Sequence, residues 1–492
     1  MRNNGKNFLC CLLVCAGCVF LSMNSPGATV SPASYRADQI IIQLKPGVAP
    51  SALAKVQIAP TRRIFQAGGG MHVVAVPAGE SVASLIEKYR QSGLVTFAEP
   101  DYYVYANAVP KDPRFGDGSL WGLNNYGQSG GTPGADIHAL AAWDVLTSAS
   151  NIVVAVLDSG IRATHEDLAA NMWSNSVDGG HGYNAFTGTN DPADDATSHG
   201  TMVAGILGAV GNNGKGVTGV AWRVQMMACK CMNGGTGSDA TIIDCVDYAL
   251  AHGAKIINAS FDTPTASLAL SNAIVAARDA GVIWVASAGN NSQNIDITPS
   301  YPSCYGLDNI VSVAATTRND GLFSLSNFGA TNVALGAPGD QLTTTFAASD
   351  TYYYPPAGLG INIGGTSLAA PYVSGALALM LAKYPDENYR QIIQRLLAAT
   401  DPVPALRGKC KTGGRLNLAK ALNPPIVAVL AAQPGGTLLL NWTGGIAPFQ
   451  VQSATNLTAT PVAWETIGTA SNGNTWLITP TNGMMFYRIT GQ

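Results

Sequence analysis

Charge is what this chain has least of: 12% of its 492 residues are Asp, Glu, Lys or Arg, the formal net charge is -3, and no block of Lys or Arg stands out. Nucleic acids are bound by clustered cations, so the electrostatic footprint of such a partner is missing. Cysteine is sparse as well. Of nine, Cys10, Cys11, Cys15 and Cys18 fall in an N-terminal apolar stretch, leaving Cys229, Cys231, Cys245, Cys304 and Cys410. None of these has the paired spacing of a zinc site. The apolar run at 8–23 is shorter than the roughly 20 residues a spanning helix needs, and no internal repeat of solenoid or propeller period is apparent. What is abundant is apolar side chain, at 47%, enough for several cores.

Arg2 and Lys6 precede the apolar run and small residues follow it near 25–28, the order of a secretory signal peptide. Residues 1–28 are expected to be removed on export to the cell exterior, with cleavage beyond Cys18, whose CAGC context faintly resembles a lipid-anchor site. Export permits disulfides. Cys229 and Cys231 share one face of a strand and Cys245 lies on the helix that follows, so a bridge from Cys245 to either is expected.

Residues 29–110 read as a small α+β unit: strands DQIIIQLKP, MHVVAVPAG and VTFAEPDYYVYA, with the helix SVASLIEKYRQ before the last. Pro110, Lys111, Asp112 and Pro113 form a polar boundary. Residues 111–424 alternate β-branched runs (IVVAVLD, KIINASF, VIWVASAGN, IVSVAAT) with helical stretches such as DATIIDCVDYALAHG. That pattern predicts a doubly wound parallel α/β sheet, with functional groups at the carboxyl ends of its strands. Residues 425–492 hold only Glu465 and Arg488 as charges and alternate over TLLLNW, PFQVQSA, TWLITP and MMFYRIT, as a small all-β, sandwich-like module would.

Three segments carry chemistry. Asp158 ends the apolar strand in VVAVLDSGI, His199 opens the helix in SHGTMVAGI, and Ser367 opens the helix in GGTSLAAPYVSGALALML. Each alone reads as a cap or core residue. Together they supply what a serine hydroxyl, a weak nucleophile by itself, requires: a base and an orienting carboxylate. Gly364 and Gly365 permit close backbone approach before the serine.

In these segments and in the order Asp, His, Ser, the sequence resembles the subtilisin-like serine peptidases over about 112–423. The resemblance implies a secreted endopeptidase acting on protein or peptide substrates, monomeric and self-processed. It makes Asp158, His199 and Ser367 the triad and Asn290 the side-chain donor to the oxyanion, with Asn291 the competing assignment. Substrate would pair beside Gly235, Thr236 and Gly237 on one side and Ser260, Phe261 and Asp262 on the other. Ile242 and Phe261 would form an upstream apolar pocket, and Asn291 and Ser300 would lie near the residue before the cleaved bond. Broad specificity with an apolar or medium-sized polar preference is then expected. A calcium ion would be held by Asp112, Asp167 and Asn213 with the carbonyls of Gly211, Lys215 and Val217. The 29–110 unit resembles the inhibitory propeptide of the family, with EPDYYVYA in the cleft until cleavage between Ala106 and Asp112.

Four positions depart from the family pattern: Met202 for His, Leu368 for Met, Asp262 for Gly and His138 for Asp. Met202 is expected to be a packing change, and Leu368 to remove an oxidisable thioether beside the nucleophile. Asp262 is read as facing solvent, the other reading being a preference for basic side chains. NDPADD, with Asp191, Asp194 and Asp195, is read as a solvated acidic loop, with a second ion as the alternative. The competing function is an exported binding or adhesion protein with a dormant peptidase fold, its binding face made by Phe449, Trp442 and Trp464.

Overall fold

In a computed structural model, the residues described are 35–49, 61–65, 70–77, 80–102, 108–194, 196–354, 363–423, 427–433, 437–443, 449–455, 464–471, 473–479 and 485–490. The expected signal peptide, Cys18, Asp195 and, within the expected cleavage segment, Ala106 and Asn107 lie outside them. The described residues divide into two compact units, one drawn from 1–105, 447–473 and 482–492, the other from 106–446 and 474–481.

In the first unit, an antiparallel sheet runs in the order Thr61–Ile64, Met71–Ala75, Tyr35–Leu44, Val95–Tyr102. The helix Val82–Gln91 starts where Ser81 Oγ accepts a hydrogen bond from Ser84 N–H at 3.1 Å. Its Val82, Leu85, Ile86 and Tyr89 recur at helical spacing and bury against Ile40, Ile42, Val74, Val95 and Ala98. The strand TRRI escapes sequence reading because it is short and mostly exposed. C-terminal strands add a three-stranded sheet, Glu465–Ser471, Phe449–Ala454, Phe486–Thr490.

The second unit is built on a nine-stranded sheet in the order Asp401–Pro402, Gly414–Arg415, Leu335–Pro338, Ile310–Thr316, Ile283–Ser287, Ile256–Ala259, Ser148–Asp158, Arg223–Lys230, Gly182–Asn184. All neighbours are parallel except the first pair. Alternate strand residues feed two cores, as strands buried on both faces must. Val154, Val156, Ile256, Ile283 and Val285 pack with the helices His199–Gly208 and Thr366–Lys383. Ala155, Leu157, Ile257, Trp284 and Ala286 pack with Asp239–Ala251 and Leu268–Asp279. The doubly wound α/β fold predicted from the alternation is therefore the fold observed. A further three-stranded sheet, Val427–Ala432, Leu438–Thr443, Thr475–Ile478, also belongs to this unit.

Met202 is a core residue, as its packing role requires. The thiols of Cys229, Cys231 and Cys245 gather on one face of the sheet, but none of the five described cysteines is disulfide-bonded, so the expected bridge is corrected. Cys245 meets both strand thiols, whose hydrogen bonds lower its pKa, while Cys229 and Cys231 are held above the usual thiol range. Among the described residues no helix is long and apolar enough to cross a membrane.

Candidate active site

The sheet brings Asp158, Ser260 and the segment after Ser287 to one edge, because Leu157, Ala259 and Ala286 lie side by side in register. Asp158, 1% exposed, closes its strand, and its Oδ1 lies 2.8 Å from His199 Nδ1. The same oxygen accepts Ser159 N–H at 2.8 Å. Gly200 makes this approach possible, since a Cβ there would stand 2.1 Å from Gly160 O and 3.1 Å from Asp158 Cβ. Asp158, His199 and Ser367 line one cavity of about 300 Å³ together with Gly235, Ser260, Phe261 and Asp262.

The helix carrying His199 starts without a cap from its own N-cap residue: Ser198 has a left-handed backbone, φ 57°, and makes no side-chain cap. Asp194 supplies the missing acceptor. Its Oδ2 takes Thr201 N–H at 2.9 Å and the Thr201 hydroxyl, and its Oδ1 takes Ser159 Oγ–H at 2.6 Å. Ser159 Oγ in turn accepts Gly200 N–H at 2.9 Å. Asp194 is thus not the solvated acid expected of its loop. Burial raises its pKa, and its bonds tie the strand end beside Asp158 to the first turn of the His199 helix.

The Ser367 helix enters from Gly365, whose φ of 141° favours glycine. Asn290 Oδ1 accepts Thr366 N–H at 2.9 Å and the Thr366 hydroxyl at 3.2 Å. The carboxamide oxygen is thereby occupied, and among the described residues neither Asn290 Nδ2 nor Ser367 N–H has an acceptor. Asn291 differs: its backbone N–H is bound to Asn327 Oδ1 at 3.0 Å. Behind the nucleophile, Pro371 has no N–H to give the Ser367 carbonyl four residues earlier. Ser260 Oγ–H fills that role at 2.7 Å. Asn258 Nδ2 donates to Ser260 Oγ at 2.9 Å, and Ser374 Oγ–H donates to Asn258 Oδ1 at 2.8 Å.

Gly235, Thr236 and Gly237 lie across the cleft in a tight hairpin in which Asn233 pairs Thr236. They line a second cavity of about 260 Å³ with Ile242, Phe261, Asp262, Asp239 and Leu270. Ser300 is buried and donates its hydroxyl to Asp262 Oδ2 at 3.1 Å.

Away from the cleft, Asp112 and Asp167 are 1% and 0% exposed. Asp112 accepts Asn212 N–H at 2.7 Å and Asn213 N–H at 3.3 Å; Asp167 accepts Asn213 Nδ2 at 2.7 Å and Val217 N–H at 2.9 Å. Burial raises the pKa of both, Asp167 adding to the rise at Asp112. Asn213 Oδ1 accepts Lys215 N–H at 2.8 Å, and the Lys215 ammonium pairs with Glu166 at 3.3 Å. Among the described residues no three His, Cys, Asp or Glu side chains gather as a metal group. A cation here would rest on two carboxylates plus amide and carbonyl oxygens.

Comparison with known proteins agrees with the fold. Residues 149–420 match the profile of the subtilase family, and residues 22–101 that of the fervidolysin N-terminal prodomain. A thermophilic serine proteinase of Bacillus sp. (strain AK1) is 30% identical over 70% of this chain and 76% of that protein. Subtilisin DY of Bacillus licheniformis is 35% identical over 50% of this chain and 82% of the relative. Among solved structures, a protease of Pseudoalteromonas arctica PAMC 21717 aligns with a TM-score of 0.51 and 30% identity, over 64% of this chain and 99% of that one. The chain belongs to the subtilase family of serine peptidases, and carries the family's prodomain at its N-terminal side.

Proposed function

We propose that the protein is a secreted serine endopeptidase, made as a zymogen, whose nucleophile is Ser367. His199 takes the Ser367 proton as Oγ bonds to the substrate carbonyl carbon, then gives it to the leaving amine as the C–N bond breaks. Water repeats the sequence to release the acyl group. Asp158 holds the Nδ1–H tautomer of His199 and stabilises its cation. Asn290 Nδ2 and Ser367 N–H receive the oxyanion. The observation that carries this reading is the 2.8 Å His199–Asp158 contact in a cavity that Ser367 shares. So well-formed a pair, backed by an unoccupied donor pair, argues against a dormant fold.

In this reading residues 1–28 direct export, 29–110 inhibit the enzyme intramolecularly until cut away, 111–424 are the peptidase and 425–492 a separate β module. Substrates are protein or peptide chains held extended between Gly235–Gly237 and Ser260–Asp262. Calcium belongs to the same reading. Two fully buried carboxylates with neutral donors alone around them suit a hard divalent cation. Asp112, Asp167, Asn213 and the carbonyls of Gly211, Lys215 and Val217 would hold it, and its contribution there is stability.

The test is expression of residues 29–492 with and without Ser367→Ala. The wild-type chain should lose about its first 80 residues, down to the boundary before Asp112, and digest casein. Ser367→Ala should do neither. Processing of the variant as complete as that of wild type would sink the self-processing claim.

A further inference from the structure

Asp262 stands where a glycine is the family's usual residue; it is exposed, as the sequence reading had it, and it lines the cleft. Its Oδ2 accepts the Ser300 hydroxyl at 3.1 Å and faces Gly289 so closely that a Cβ there would come within 2.9 Å of it. Gly289 directly precedes Asn290, the oxyanion donor of the reading above, so this carboxylate sits beside the acyl side of the scissile bond. It lines the cavity that holds Ser367 and His199. The residue is exposed and lines that cavity, where a substrate side chain could reach it.

A carboxylate in such a place needs a counter-charge. Among the described residues no Lys, Arg or His pairs with Asp262; the Ser300 hydroxyl is its one hydrogen-bond partner. Oδ1 has no hydrogen-bond partner among the described residues. Substrate binding would expel water from this spot, stranding a charge at a cost unless the incoming residue is cationic. Long Lys and Arg side chains suit the geometry: their methylenes can cover the Phe261 ring while the head group meets the carboxylate.

Resting on the peptidase reading above, we propose that Asp262 makes this enzyme select Lys or Arg at the substrate residue immediately before the cleaved bond. Main-chain pairing leaves the flanking positions permissive, so the enzyme would be broad elsewhere and basic-selective at this one. Ser300 is the positioning residue, holding the carboxylate toward the cleft.

The experiment uses the processed enzyme and peptides identical except for Arg, Lys, Leu, Phe or Glu at that residue. Wild type should prefer Arg and Lys over Leu by about tenfold or more in kcat/KM. In Asp262→Asn the Arg-to-Leu ratio should fall to about one. Burial raises the pKa of Asp262, so in wild type the ratio should climb with pH as the carboxylate ionises and be lost below that transition. The other titratable groups lining the cavity, His199 and Asp158, act on both substrates alike and cancel in the ratio. Asp239, in the adjoining cavity, meets a constant residue. This pH series needs no variant and decides the matter if Asp262→Asn does not fold. An enzyme that cleaves Arg and Leu peptides equally, or a ratio flat with pH, overturns the inference while leaving the peptidase reading intact. Failure to cleave any peptide, with no labelling of Ser367 by a fluorophosphonate, would instead overturn that reading.

Discussion

Removing Asp194 should damage catalysis without touching any catalytic group. The carboxylate accepts hydrogen bonds from Thr201 N–H, Thr201 Oγ–H and Ser159 Oγ–H, and Asp194→Ala deletes all three. Bonds to a charged acceptor contribute roughly 1.5–3 kcal/mol each. Part of that sum is offset, because desolvation of the carboxylate, which raises its pKa, is relieved when it goes. A net cost of about 3 kcal/mol follows, and in a unit of this size about 2 °C of Tm is lost per kcal/mol, or about 6 °C. The His199 helix would lose the carboxylate that caps its first turn at Thr201 and anchors Ser159, the acceptor of Gly200 N–H, and a shift of about 1 Å in a catalytic group can reduce turnover 10²-fold. We therefore expect kcat to fall about 10- to 100-fold with little change in KM, measured on titrated enzyme whose propeptide was removed by wild type added in trans. Asp194→Asn should recover most of the loss. Its oxygen can keep the Thr201 bonds, and its amide can donate to Ser159 Oγ, which has a lone pair to spare beside the one given to Gly200. A kcat for Asp194→Ala within twofold of wild type would refute the reasoning even if Tm fell, since the bonds would then hold the fold and not the histidine.

Calcium removal should lower Tm of the processed enzyme. A ligand at 1,000 times its Kd stabilises by about 4 kcal/mol, or about 8 °C at the same conversion, and Asp167→Asn should abolish the difference between calcium and chelator; equal Tm values in wild type would refute the site. Leu368, 3% exposed and next to the nucleophile, offers peroxide no sulfur there. Wild type should outlast Leu368→Met in dilute peroxide, and equal inactivation rates would show that another group, such as Met232 across the cavity, is the vulnerable one.

The sheet was legible because its strands are short, β-branched and buried on both faces, and the triad segments because each sits at a strand end or helix start with an apolar run attached. What escaped did so for physical reasons. Asp194 looks like any acid in a Gly- and Pro-punctuated loop, and only the left-handed Ser198, invisible in sequence, leaves the following helix in need of a cap. The thiols were placed together correctly by strand and helix periodicity, yet proximity does not dictate a covalent bond. Thr61–Ile64 carries two arginines and no alternation, and Val427–Ala432 is apolar throughout, so neither declares a strand by pattern.

Asn258, Ser260 and Ser374 are the hardest case, and they explain how a serine on an almost wholly buried helix is held in register. Residues 366–380 of that helix are buried nearly all round, with Ser367 itself the half-buried exception. Apolar contact is non-directional, so such a helix could rotate or slide at little hydrophobic cost. Directional bonds must fix it. Thr366 to Asn290 pins its first turn, and Ser260 to the Ser367 carbonyl pins the nucleophile's own peptide. Ser374 to Asn258, two turns on, ties the helix to the central strand. Pro371 makes the middle link possible by leaving that carbonyl without a helical donor. In sequence, Ser374 is only a small residue among apolar ones and Pro371 only a helix breaker. The two become intelligible together, because Ser260, just past the strand Ile256–Ala259, supplies a hydroxyl donor in place of the N–H that the proline lacks.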